Sequence, residues 1–234
     1  MLRLISWNVR YFSHATRGIT SSDRTIQRIA ASIAQMDPQP DVIALQEVDD
    51  FSVRSSGGRT RIRDRAGIPR SQLDRFMAAL NDASLKAGGH VFQDQFYPAM
   101  GHARSLPLIS TGLAIIYRHT LEQVDNNGGS PHDITHRRIR RLAKVKQTRI
   151  CAWSRFRVAD GREFDLYNTH LSLPAFLQRH KGQTKGRFGE ADNQVREVDS
   201  ALDFMSGRGA RPRILVGDFN AIPGSKVYHR ALED

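Results

Sequence analysis

The chain has 234 residues, 39% of them hydrophobic and 25% charged, with a net charge of +11 and a pI near 10.5. That size and composition fit one soluble globular domain, and the excess of cations favours an anionic partner such as nucleic acid, a phosphoester or an acidic membrane surface. A single cysteine, Cys151, excludes a disulfide framework, and the sequence has neither an apolar run long enough to span a membrane nor a signal-peptide core, so the expected compartment is the cytoplasm.

Residues 2–8 read as a strand, ending in Ser6-Trp7-Asn8. Ser22 is placed to cap a helix over Asp23 to Met36, with Ile26, Ile29, Ala30 and Ile33 at helical spacing. Pro38 and Pro40 end it. Val42-Ile43-Ala44-Leu45 is continuously apolar, as in a strand covered on both faces, and runs into Gln46-Glu47. Residues 51–70 hold six Arg and three Gly and read as a basic surface loop. Ser71 is the cap of a second helix, with Leu73, Phe76, Met77 and Leu80 on one face. A loop containing His90, Pro98 and His102 then leads to a strand over Gly112 to Arg118.

Asp125 to Gly129 read as a loop, and residues 137–149 carry seven Lys or Arg and no acid. A hairpin follows. Ile150, Ala152, Ser154, Phe156 and Val158 alternate on one arm, and Phe164, Leu166, Asn168 and His170 on the other, around an Asp160-Gly161 turn. A third basic block covers 179–187. A helix over 190–206, with Val195, Val198, Leu202 and Met205 inward, precedes a strand over Arg213 to Gly217. That strand breaks off in Gly217-Asp218-Phe219-Asn220. There is no internal repeat and no linker that would split the chain.

Four strand ends therefore carry Asn8, Glu47, His170 and the pair Asp218/Asn220. Strands of one sheet that end at the same edge present their terminal side chains to one crevice. A carboxylate and an amide oxygen suit a hard cation such as Mg²⁺. A histidine and an asparagine can donate hydrogen bonds to phosphoryl oxygens, and a further Asp can orient or deprotonate water. The set suits metal-assisted hydrolysis of a phosphoester.

Trp7-Asn8, Leu45-Gln46-Glu47-Val48, Asn168-Thr169-His170-Leu171 and Gly217-Asp218-Phe219-Asn220, in that order, resemble the motifs of the endonuclease/exonuclease/phosphatase superfamily. Gly112 to Arg118 is similar to its central strand, and Pro223-Gly224-Ser225 with Tyr228 to the segment after its Asp-Phe-Asn motif. The resemblance implies an α/β fold of two mixed β-sheets packed face to face and flanked by helices, a four-layer sandwich of the deoxyribonuclease kind. It implies that Glu47 is the principal Mg²⁺ ligand (Mn²⁺ being the alternative) with Asn8 beside it. His170 would contact the scissile phosphate, Asp218 would orient the attacking water or assist proton transfer, Asn220 would hold phosphate or catalytic neighbours, and Asn168 would steady the site.

Members of the superfamily end with a further strand and a Ser-Asp-His or similar motif, whereas this chain stops fourteen residues after Asn220. His229, the one later histidine, lies in an expected short helix and is not expected to replace the missing residue. The chain is thus expected to be one domain, residues 1–234, lacking its C-terminal strands and leaving the sheet edge near Asp218 open. A fragment of a longer protein is favoured over a complete but catalytically crippled relative. The histidine of Asn168-Thr169-His170-Leu171 resembles the branch of pancreatic-type deoxyribonucleases, deadenylase-like nucleases, inositol polyphosphate phosphatases and sphingomyelinases. With the basic blocks, it points to a metal-dependent phosphodiesterase acting on nucleic acid. The alternatives are an inositol phosphate or sphingomyelin-type substrate, or a non-catalytic polyanion-binding relative. His14, His102, Arg104 and Arg118 are further polar residues near these loops, with no spacing that assigns them to the crevice.

Overall fold

The computed structural model describes residues 1–12, 23–52, 71–99, 109–136, 148–174 and 188–233. Nearly all of the three basic blocks lies outside these residues, as do His14, Ser22, His102 and Arg104. Nine strands and four helices occur among the described residues: β1 (Leu4–Asn8), α1 (Asp23–Ala34), β2 (Val42–Ser52), α2 (Gln72–Lys86), β3 (Phe92–Pro98), β4 (Ile109–Arg118), β5 (Glu122–Asn126), β6 (His132–Asp133), β7 (Ile150–Arg157), β8 (Glu163–His170), α3 (Asp192–Ser206), β9 (Arg213–Asp218) and α4 (Lys226–Leu232). They form two mixed sheets. One has the order β1-β2-β4-β3, with β1 parallel to β2 and the other pairs antiparallel; the other has the order β5-β7-β8-β9, with β6 also on β7 and β8 parallel to β9.

The period-2 alternation of the strands sorts their side chains into three apolar layers. Ile43, Leu45, Ala114 and Ile116 turn outward to meet Ile26, Ile29 and Ile33 of α1 and Leu73, Phe76 and Leu80 of α2. Val42, Leu113, Ile115, Ile150, Phe156 and Leu166 fill the space between the sheets. Cys151, Trp153 and Tyr167 turn the other way, onto Val198, Ala201, Leu202 and Met205 of α3. The result is the expected helix–sheet–sheet–helix sandwich. The Ser71 cap forms as a full capping box, its hydroxyl accepting from the Asp74 N–H at 2.8 Å and its own N–H donating to Asp74.

Three elements depart from the sequence reading. The segment around His90 to Pro98 is not a loop: β3 occupies Phe92–Pro98 as an edge strand on β4. Its polar centre, Gln93-Asp94-Gln95, hides the alternation, but charge along an unpaired edge is what an outermost strand carries. β5 begins at Glu122, and its only apolar residue, Val124, is exposed, so it is set by pairing with β7 rather than by pattern. β2 does not end at Glu47 but continues to Ser52 through an irregularity. Leu45 pairs with Ala114 and Val48 with Gly112, so Gln46 and Glu47 together oppose Leu113. Glu47 sits in the left-handed region, with φ 55°, which makes this a β-bulge.

β1 and β9 are the outer strands of their sheets on the same side of the sandwich, and Asp218 closes β9 at that edge. Gly217, at φ 150°, sets the approach of β9 to β8: a Cβ there would run into the backbone of Thr169. Gly217→Ala is therefore expected to cost about 1–3 kcal/mol in urea denaturation, the range for forcing extra atoms into a packed site. A loss below about 0.3 kcal/mol would mean that β9 has room to shift.

Candidate active site

Asn8, His170 and Asp218 stand at the ends of β1, β8 and β9, and the β2 bulge brings Glu47 to the same place. The parallel pairing of β8 and β9 sets His170 beside Asp218. Asn8 Nδ2 donates to Glu47 Oε1 at 3.1 Å and to Asp218 Oδ2 at 2.7 Å. His170 Nε2 lies 3.8 Å from each of the same two oxygens. Two carboxylates, one amide and one imidazole from both sheets thus converge on one spot. The Asn8 amide is itself fixed, because its Oδ1 accepts the N–H of Arg10 at 3.0 Å, in a 3-10 turn whose residues Arg10–Phe12 all have positive φ.

The cluster rests on a buried layer of amides. Asn168 is fully buried; its Nδ2 donates to the carbonyls of Leu45 at 3.0 Å and Ala114 at 3.3 Å in the opposite sheet. Its Oδ1 accepts from Gln46 Nε2 at 2.7 Å, and Gln46 also donates to Ser6 Oγ and the Ala44 carbonyl. Asn220, with φ 48°, donates from its side-chain Nδ2 to the Leu171 carbonyl at 2.8 Å, and its N–H donates to Asp218 Oδ1 at 3.0 Å. Asn220 thereby ties the loop after β9 to the loop after β8.

A second brace comes from α3. Glu197, 1% exposed, accepts the N–H of Ser172 at 2.8 Å and its hydroxyl at 2.7 Å. Gln194, one turn earlier, donates to the carbonyls of Ser172 at 2.8 Å and Asn220 at 3.0 Å. Gln194, Glu197 and Gln46 carry no expected role in the sequence reading. The signal for the first two is visible in hindsight: they lie one turn before Val198 and Ala201, on the apolar stripe of the helix, where an unsatisfied polar group would be costly.

Burial is the main influence on His170, and the nearby charge of Arg149 adds to it; together they outweigh the pull of Asp218 and bring the imidazole down to about 4. At neutral pH His170 is therefore uncharged, and its contacts with Glu47 and Asp218 are not ion pairs. A neutral imidazole with an N–H to offer can donate to a phosphoryl oxygen.

Among the described residues, no group of three or more His, Cys, Asp or Glu side chains is arranged to hold a metal ion. Glu47 and Asp218 nonetheless present hard oxygen donors to one point, and a positive dipole, the Asn8 amide N–H, already fills the place between them. This donor set fits Mg²⁺, which is commonly held by one or two carboxylates with water completing its shell. Asn8 could offer its Oδ1 only by turning its amide over and releasing Arg10. Arg118 is elsewhere: it pairs with Asp41 at 2.6 Å beside a cavity of about 500 Å³ at the other end of the strands. His229 is exposed on α4, against Tyr228.

A sequence profile of the Endonuclease/Exonuclease/phosphatase family matches residues 5–234. The chain belongs to that family, whose members are hydrolases, nucleases and phosphatases among them. No curated protein matches it significantly by sequence. Solved structures share its fold at low identity. An endonuclease/exonuclease/phosphatase from Bacteroides vulgatus superposes with a TM-score of 0.62 at 16% identity, over 98% of this chain and 69% of that one. A family protein from Bacteroides thetaiotaomicron gives 0.61 at 19% identity, over 99% and 68%. The human Nocturnin catalytic domain, solved with a bound sulfate anion, gives 0.57 at 17% identity, over 97% and 68%.

Two measurements test this geometry. Asn168→Ala leaves the Leu45 and Ala114 carbonyls without their buried donor and should cost about 1–3 kcal/mol in urea denaturation; a neutral result would remove the amide layer as a support. His170 has a folded-state value below its unfolded one, so the unfolded chain takes up the proton first as pH falls from 6.5 towards 4. Stability contributed by the neutral ring should be lost across that window, up to about 3 kcal/mol. In EDTA, NMR of the His170 ring should show no protonation at pH 6, and a midpoint near 6.5 would contradict its burial.

Proposed function

We propose that residues 1–234 act as a single hydrolase domain that cleaves a phosphodiester bond with the help of a divalent cation, Mg²⁺ or else Mn²⁺, and that nucleic acid is its substrate class. The observation that carries this reading is the meeting of Asn8, Glu47, His170 and Asp218 at one end of the two sheets. A phosphodiester is an anion, and two carboxylates facing it would repel it, so the site calls for a cation to share the space. Glu47, with Asn8, is the proposed holder of that cation. When bound, the cation would neutralise charge building on the phosphoryl oxygens and make water a better nucleophile.

The rest is the work of the side chains. His170, neutral, donates its N–H to a non-bridging oxygen as that oxygen gains charge. Asp218 orients the attacking water and accepts its proton, with its carboxylate aimed by the Asn220 N–H. Asn220 and Asn168 hold the loops and strands that carry these groups. The preference for nucleic acid over an inositol phosphate or a sphingomyelin-type substrate rests on the net charge of +11, which favours a long polyanion.

Glu47→Ala decides between a hydrolase and a polyanion-binding relative that does not turn over. Loss of a direct ligand should reduce Mg²⁺-dependent cleavage by more than the roughly 10–100-fold typical of outer-shell changes, while binding of a single-stranded oligonucleotide in EDTA stays within about twofold. Cleavage that survives Glu47→Ala would overturn the metal assignment. Wild-type protein that binds the oligonucleotide but cleaves neither it, nor inositol phosphates, nor sphingomyelin would overturn the enzyme reading.

A further inference from the structure

Arg149 immediately precedes β7, whose register with β8 sets Cys151 opposite Thr169, and its charge acts on the neighbouring His170. Its backbone is pinned. The N–H donates to Thr135 Oγ1 at 2.8 Å, and the carbonyl accepts the Ile134 N–H at 2.9 Å. Its side chain is half-buried, and its Nε is fully buried without a hydrogen-bond partner.

A buried Nε without a hydrogen-bond partner also occurs at Arg75, Arg118 and Arg208, but Arg75 meets Asp23 at 2.6 Å and Arg208 lies over the Trp153 ring at 3.6 Å, so each has another partner for its charge. Arg155 forks onto Asp165 at 2.8 and 3.1 Å, Arg118 meets Asp41 at 2.6 Å, and Arg230 meets Asp199 at 2.6 Å. Arg149 has carboxylates in electrostatic reach, those of Glu197, Glu47 and Asp218, and also the Tyr11 hydroxyl, but forms an ion pair with none of them. Glu197 already has both oxygens engaged by Ser172. Burial costs the guanidinium more than these neighbours return, and its pKa is lowered accordingly. A buried cation of this kind, next to a histidine and two carboxylates, is completed by an anion that comes from outside. A guanidinium offers paired N–H donors in a plane, which match the oxygens of a phosphoryl group.

We propose that Arg149 is the phosphate anchor of this site, its guanidinium gripping the non-bridging oxygens of the phosphoryl group beside His170. This deepens the hydrolase reading and takes the reacting group from it. Within that reading Arg149 fixes the phosphoryl group against the His170 N–H and the water held by Asp218.

Inorganic phosphate is the probe, titrated calorimetrically into the full chain at saturating Mg²⁺. Arg149→Met keeps the packed stem and removes the charge; Arg149→Gln keeps polarity. Both should weaken phosphate binding at least tenfold and leave Mg²⁺ affinity, measured alone, within twofold. Arg149→Lys, a point charge without the fork, should fall between them and the wild type. Phosphate affinity within twofold of wild type in any variant that folds with Arg149 replaced by Met or Gln would overturn the proposal, as would a wild-type protein that does not bind phosphate. Should neither of these variants fold, wild-type affinity in Arg149→Lys overturns it and a severalfold loss upholds it. Failure of the hydrolase reading shows separately, as absent turnover or Mg²⁺ binding unaffected by Glu47→Ala, with the phosphate result intact.

Discussion

The hydrogen bond from Gln46 to Asn168 crosses the gap between the two sheets directly under the polar cluster, and it is inseparable from the bulge at Glu47. In an uninterrupted strand, Gln46 would face the opposite sheet and Glu47 the helices α1 and α2, because successive side chains alternate. The bulge lets both serve one end of the sandwich: Gln46 turns into the inter-sheet layer, and Glu47 turns to the crevice. The same irregularity leaves the Leu45 carbonyl available to Asn168. In this low-dielectric layer a satisfied amide network is strong and directional, whereas a partly satisfied one would be worse than an apolar core. The bridge therefore fixes the separation of the two sheets at the point where Asn8 and Glu47 from one must meet His170 and Asp218 from the other.

From the outer side, α3 does for the loops what the bridge does for the strands. Ser172 follows His170 by two residues and Asn220 follows Asp218 by two, and Gln194 bonds the carbonyls of both. A shift of α3 would thus move the two loop stems together rather than apart. With Asn220 also tied to Leu171, the spacing of the polar cluster is held by side chains that stand behind it. Left-handed conformations at Glu47 and Asn220, two of the residues flanking this region, show that the backbone accepts local strain here because packing and hydrogen bonding over-determine it.

Much of this was legible in the sequence, and the rest was hidden for identifiable reasons. Apolar runs marked β1, the start of β2 and β9, and the helical spacing of Ile26, Ile29 and Ile33 marked α1, because these segments are buried on defined faces. The polar residues that interrupt such runs (Asn8, Glu47, His170, Asp218) stood out for the same reason. β3 and β5 did not, since edge strands lack the alternation that burial imposes. The bulge is invisible in the sequence because a Glu at φ 55° has no signature as a Gly would, and the polar pair Gln46-Glu47 after an apolar run looks like a strand end. Arg149 was one cation in a run of seven, and only the fold separates it from its neighbours in sequence by setting it beside His170.

Net charge and local charge point in opposite directions in this molecule, and the difference bears on how a substrate is received. The whole chain, at +11, attracts polyanions from a distance, an effect that salt weakens over about 8 Å at physiological ionic strength. At contact the balance reverses. Among the described residues, the carboxylates of Glu47, Asp218 and Glu197 lie in electrostatic reach of the Arg149 guanidinium, and His170 beside them is held neutral. A phosphoryl group drawn in by the net charge would meet these carboxylates at the last step. Within the proposed mechanism, the divalent cation and Arg149 thus have complementary tasks: the first removes the repulsion of Glu47 and Asp218, and the second orients the group once the repulsion is gone. Long-range attraction sets how often a polyanion arrives, and these two local cations set whether its phosphate can seat, so raising salt should slow arrival without loosening a phosphate already held in the buried site.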